Sequence, residues 1–193
     1  MLLLAIPITL GLSGIAAGFV PWFLGDDYLP VIPLMYVCAP LVFVVGLSDC
    51  LGSQILTPAG LRAQSGRVIV GGAALNVILN LIFIPKFQSY GAAAASVAAE
   101  CFITLLYLRL GRRFVKLSLV WKYGWRRLIA GFFMVISVAV LGRTLIKLWG
   151  YSPAVTFLQI GAGAVVYGMI LLVFRDPFVW KQAERIIKKQ EYV

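Results

Sequence analysis

LNVILNLIFIPKFQSYGAAAASVAAE, residues 75–100, decides the fold of this chain. It joins parts of two membrane-length apolar runs through a short turn, IPKFQSYG, and sets three polar side chains into the apolar parts. Asn76 and Asn80 are four residues apart and share a face on a helix. Glu100 lies well inside the following run. A polar or ionisable side chain is costly in hydrocarbon, so these groups are expected to face other protein, water or a transported solute. Transport is therefore the first function to consider, ahead of catalysis.

The whole chain has the same character. Of its 193 residues 62% are hydrophobic and 12% are charged, and the mean hydropathy is +0.97. A soluble domain is nearer 45–50% apolar and about 25% charged. The composition fits an all-α, polytopic membrane helix bundle. The apolar runs cover 2–24, 31–56, 68–85, 92–108, 128–141 and 153–174, which predicts six transmembrane helices. The fifth is short and is expected to extend through Arg143 to Lys147, whose long stems can snorkel. A helix is the natural way for each span to satisfy its backbone in lipid. The first run carries no charged residue at its start and continues through Leu24, so it reads as a span rather than a cleaved leader.

Orientation follows from the basic residues. Arg62 and Arg67 lie in the loop 57–67, seven Lys and Arg lie in 109–127, and five lie in the tail 175–193. The opposite side has only Lys86, Arg143 and Lys147, with the acidic pair Asp26 and Asp27. That imbalance predicts cytoplasmic termini and a cytoplasmic basic loop, in a multi-pass protein of the cytoplasmic membrane. The net charge of +10 does not point to nucleic acid, because the basic residues sit between spans and on the tail. The loop interleaves them with Phe114, Leu117 and Trp121, and the tail does so with Phe178, Ile186 and Ile187. Both are expected to lie on anionic membrane lipid.

The chain has no His, which excludes His-based metal sites and His-dependent catalytic dyads and triads. Cys38, Cys50 and Cys101 fall inside apolar runs without CxxC spacing and read as small buried residues, with no metal and no disulfide. No nucleophile–base pairing is visible, so no enzyme activity is expected. Four polar residues are candidates for the substrate path or for coupling: Glu100, Asn76, Asn80 and Asp49. A carboxyl group in a membrane that takes up and loses H⁺ or Na⁺ is the usual coupling element of a secondary transporter. The alternative for each carboxyl is a hydrogen bond to a neighbouring helix, and for the asparagines interhelical packing. Pro7, Pro33 and Pro40 interrupt the first two runs. Pro40 is the hinge candidate, whereas Pro33 reads equally as a first-turn proline. Gly14 and Gly18 form a GxxxG, expected to pack helices closely or to slide on a partner.

Three stretches, in order, resemble a known family. PITLGLSGIAAGFVPWFLGDDYLPVIPLMYV (7–37) looks like a helix pair of the Wzx-type polysaccharide repeat-unit flippases, within the multidrug/oligosaccharidyl-lipid/polysaccharide exporter superfamily. GLSDCLGSQILTPAGLR (46–62) resembles the next helix and its cytoplasmic turn, and ALNVILNLIFIPKFQSYGAAAASVAAE (74–100) resembles the family's N…LN…IP…GAA…AE signature. Asn76, Asn80, Pro85, Gly91 and Glu100 stand at its motif positions.

The resemblance covers roughly residues 5–110 and matches the C-terminal part of the family. It implies a transporter that moves undecaprenyl-pyrophosphate-linked oligosaccharide across the membrane by alternating access, for capsule, exopolysaccharide or O-antigen. It makes 1–110 a four-helix region of the C-lobe, followed by the basic loop 111–127, two further spans (128–147 and 153–174) and the basic tail 175–193. The substrate would be lipid-linked oligosaccharide. The missing lobe would come from an N-terminal half of the transporter or from a second copy. The competing expectations are an autonomous, homodimeric six-helix solute exporter and a non-transporting membrane scaffold for polysaccharide-assembly enzymes.

Overall fold

A computed structural model of the chain describes residues 1–115 and 117–181, with 117–123 described in backbone alone. Five long helices carry the fold: α1 (Leu2–Phe23), α2 (Val31–Asp49), α3 (Arg62–Gly111), α4 (Leu117–Trp149) and α5 (Pro153–Val173). Each contains a stretch long and apolar enough to cross a membrane. There is no strand among the described residues. The protein is an all-α, multi-pass membrane helix bundle.

Five helices accommodate six apolar runs because α3 is two arms. Its 50 residues would reach about 75 Å if straight, against a hydrocarbon core of about 30 Å. The chain breaks at Gln88, where φ is 49° and ψ is −125°. The expected eight-residue turn IPKFQSYG is therefore helical except at that one residue. The arms fold back because small residues line the seam. Gly91 lies against the Phe83 backbone, and Gly72 receives the Ile103 side chain. Ala93, Ala95 and Ala99 are buried along the same arm. At the open end the Ser65 hydroxyl donates to Tyr107 Oη at 2.8 Å.

The second run is likewise composite. α2 continues through Pro40 to Asp49, and Pro33 occupies its first turn. The backbone then widens into a π-helix at Cys50–Leu56, where Thr57 N–H donates to the Gly52 carbonyl, five residues back. Departure from α geometry thus comes after Pro40, close to the polar residues Ser48 and Asp49. The wide turns bring Leu51 and Leu56 into a small core with Ile103 and Tyr107.

A second core joins α1, α4 and α5 around Ala130, Met134, Val138, Tyr167 and Leu171. Gly14 faces Val135 and Val138 of α4, and Gly18 faces Ile146 of α4 and Gln159 of α5. The GxxxG spacing thus lets α1 approach both helices. Two hydrogen bonds tie α1 to α5 at its ends. Trp22 Nε1 donates to Thr156 Oγ1 at 2.8 Å, and Tyr167 Oη donates to the Leu3 carbonyl at 3.1 Å. Ser152 caps α5, with Pro153 following it, and α4 stops just before Gly150, whose φ is 69°.

Gln159 was absent from the sequence candidates, yet it is only 2% exposed in the middle of this packing. Its Nε2 donates to the Val138 carbonyl at 3.1 Å. A Cβ on Gly142 would collide with that same nitrogen, so the amide fits only because residue 142 has no side chain. Gly142→Ala is expected to lower the unfolding free energy by about 1–3 kcal/mol. Adding Gln159→Ala should return part of that loss by removing the collision. A double-mutant cycle by denaturation in detergent checks the coupling. Additive effects would remove this account of Gly142.

α4 begins and α5 ends on the same side of the bundle. There Arg127 Nε and Nη2 donate to the two carboxylate oxygens of Asp176 at 3.0 and 3.2 Å. This is the one ion pair among the described residues. Of the basic segments, Lys116 and residues 182–193 of the tail lie outside the described residues, as do the side chains of Leu117, Trp121 and Lys122.

Candidate functional site

The polar side chains of this bundle converge at one place. α2 and its π-turn carry Ser48, Asp49, Ser53 and Thr57. The first arm of α3 carries Arg62 and Ser65, and the second carries Glu100 and Tyr107. Together they line a groove of about 510 Å³. Its geometry follows from local structure. The second arm of α3 crosses α2 where Thr104 Oγ1 donates to the Val44 carbonyl at 3.3 Å. The single Ser48 hydroxyl proton has two acceptors within reach, the Val45 carbonyl at 3.0 Å and Glu100 Oε2 at 3.5 Å. Gly52 lets the Tyr107 ring come close, since a Cβ there would lie 2.9 Å from Tyr107 Cε2. The Tyr107 hydroxyl meets Ser65, so both arms of α3 are pinned at the groove.

Two of the four sequence candidates therefore meet. Asp49 and Glu100 line the same groove, Asp49 exposed and Glu100 half-buried. Among the described residues neither carboxylate is paired with a cation. Arg62 shares the groove without forming an ion pair. The sequence assigned Arg62 only to a loop, and Ser48, Ser65 and Tyr107 were not singled out. Ser48 alone had a local cue, its place next to Asp49 at the end of α2.

Asn76 and Asn80 stand apart from this groove. Asn80 Nδ2 donates to the Asn76 side-chain oxygen at 2.6 Å and to its carbonyl at 3.0 Å. Asn80 lines a separate apolar hollow with Val77, Leu81, Ile84 and Pro85. The bond links the two amides along one face of the first arm. That arm exposes large apolar side chains, among them Val70, Val77, Leu81 and Phe87. Pro40, Gly14 and Gly18 lie outside the groove. An apolar cleft of about 320 Å³ is lined by α1, α4 and α5, with Gln159 as its one amide.

The groove offers hydroxyl, carboxyl and guanidinium groups on one surface. Its carboxylates can accept from hydroxyl groups or hold a cation, its hydroxyls can both donate and accept, and the Arg62 guanidinium can hold an anion. No three of His, Cys, Asp and Glu come together as a metal site among the described residues. The three cysteines are free and partly buried.

No family model matches the chain, and no solved structure matches it. The chain is similar to a protein of Escherichia coli (strain K12) described as "Putative O-antigen transporter", at 25% identity over 85 residues. That stretch is 44% of this chain and spans about a fifth, 20%, of the length of the protein it matches.

Proposed function

We propose that this chain is the C-terminal part of a polysaccharide flippase. In this reading it is a transporter rather than an enzyme. It translocates undecaprenyl-pyrophosphate-linked oligosaccharide repeat units across the cytoplasmic membrane by alternating access, with both termini cytoplasmic. The observation that carries the reading is the polar groove. Two carboxylates without a cation partner, four hydroxyl side chains from Ser and Thr, the Tyr107 phenol and Arg62 meet in a bundle otherwise built from apolar helices. Such groups are costly in a membrane unless a solute, an ion or water uses them. The similarity to a protein described as an O-antigen transporter supports a lipid-linked saccharide as the solute.

The exposed first arm of α3 supports completion of the path by further protein. Its large apolar side chains, among them Val70, Val77, Leu81 and Phe87, have little cover within the chain, while its two asparagines are half-buried. An N-terminal half of the transporter supplies that cover, and H⁺ or Na⁺ exchange at Glu100 supplies the driving force. The test is complementation of a flippase-null strain, scored by surface polysaccharide. The chain should restore export when co-expressed with an N-terminal half and fail alone. Restoration by the chain alone would sink the half-transporter reading in favour of a self-sufficient exporter. Failure in both cases, with both chains in the membrane, would favour the scaffold.

In the complementing pair, Glu100→Gln keeps an acceptor for Ser48 but cannot ionise. It should lower export about tenfold or more, equivalent to about 1.4 kcal/mol of transport barrier, and should flatten its pH dependence. An unchanged pH profile removes Glu100 as the coupling group.

A further inference from the structure

The end of the bundle where α4 begins and α5 finishes carries a second cluster, remote in sequence from the polar groove. Arg126 Nη1 donates to the carbonyls of Phe174 and Arg175 at 3.1 and 3.3 Å, on the last carbonyls after α5. Its guanidinium carbon lies 5.7 Å from the centroid of the Trp125 ring, and Trp125 meets Phe174 edge-on at 5.9 Å. Arg175 has a left-handed backbone, with φ 49°, and its guanidinium carbon lies 5.3 Å from the Trp180 ring. The neighbouring carboxylate, Asp176, is occupied by Arg127. Among the described residues neither Arg126 nor Arg175 has an acidic partner.

We propose that Arg126 and Arg175, framed by Trp125, Phe174 and Trp180, bind the phosphodiester headgroup of an anionic phospholipid. Three features commit the site to that occupant. The cluster sits where two apolar spans end, so the headgroup layer is its surroundings. Both indoles are 39% exposed, as rings at that depth are. The guanidiniums keep donors beyond those used on the backbone, and an arginine fork matches the paired oxygens of a phosphate. Stacking on indole holds each fork in place before the lipid arrives. The proposal stands independently of the transport reading.

The test uses the full chain purified in detergent and equilibrated with equal amounts of phosphatidylglycerol and phosphatidylcholine, with retained lipid measured by native mass spectrometry. The wild type should retain phosphatidylglycerol preferentially. Arg126→Gln with Arg175→Gln should cut that preference about tenfold or more. Arg143→Gln with Lys147→Gln removes the same charge at the far end of α4 and should leave the preference intact. Arg175→Gln alone, which spares the Arg126 cap on α5, should lower the preference with helicity unchanged. Equal loss in both double variants would overturn the proposal, as would an unchanged preference in Arg126→Gln with Arg175→Gln. Stronger retention of farnesyl pyrophosphate than of phosphatidylglycerol, through the same two arginines, would also overturn it in favour of a pyrophosphate lipid.

Discussion

Gly91→Val is expected to open the fold-back of α3. A Cβ at residue 91 would collide with the Phe83 carbonyl oxygen and sit 2.6 Å from its carbon. Both atoms are backbone, so no rotamer change relieves the collision. One arm must move away from the other. Overpacking of a closed interior costs about 1–3 kcal/mol and occasionally more, and a backbone neighbour places this site at the top of that range. The displacement also propagates along the seam. The Gly72–Ile103 contact and the Ser65–Tyr107 hydrogen bond both depend on the arms staying closed. Because Glu100 and Tyr107 ride on the second arm, and Arg62 and Ser65 on the first, the polar groove should widen as well. Thermal unfolding in detergent measures the stability loss. Cysteine pairs placed across the two arms, read by crosslinking yield, measure the opening. Gly71→Val in the first arm is the comparison, since a Cβ there meets nothing within 4 Å. It should change stability by no more than about 0.5 kcal/mol. Equal effects at 71 and 91 would mean that Gly91 has no special place in the seam.

The helices were legible because hydrocarbon imposes long apolar runs, and those runs can be counted directly. The break at Gln88 was less legible. IPKFQSYG contains Pro85, Lys86 and Gly91, which together read as a loop, yet Pro85 is carried within the helix and one left-handed residue makes the turn. The groove was hardest to read. Asp49 and Glu100 are about fifty residues apart in the chain, and their meeting depends on where α2 and α3 cross. No periodicity within either run encodes that crossing. Arg62 was counted as a loop charge for orientation, yet it opens α3 and lines the groove. Gln159 had a signal that went unread: a single amide in an apolar run. Its partner Gly142 lies in another helix, so their fit appears only in three dimensions. Asp176 was hidden in the same way, as one acid among the basic residues at the start of the tail.

Asp176→Asn is expected to destabilise the bundle by about 3 kcal/mol at neutral pH, the lower end of what breaking a buried pair costs. Asp176 is fully buried, and Arg127 is 15% exposed. Removing the negative charge leaves the guanidinium sequestered without a counter-charge. It also weakens the bond that Phe178 N–H makes to Oδ1 at 3.1 Å, which helps turn the chain after α5. Burial alone would raise the Asp176 pKa. The hydrogen-bonded Arg127 guanidinium, followed by the Phe178 N–H, outweighs it and holds the carboxyl below its ordinary value of 3.8. The sign of the pH effect follows. A folded-state pKa below the unfolded one contributes stability that is present above the ordinary carboxylate range and is lost as pH falls through the folded value. The wild type and Asp176→Asn should therefore differ most near neutral pH and converge in acid. Curves that stay parallel from neutral pH into acid would mean that ionisation of Asp176 does not contribute. The double variant Arg127→Met with Asp176→Leu separates the worth of the pair from the penalty of an orphaned charge. Replacing both partners by apolar side chains of similar volume is often neutral, so this variant should unfold closer to the wild type than Asp176→Asn does. If it is instead the less stable of the two, the pair holds the ends of α4 and α5 by attraction beyond what apolar packing provides.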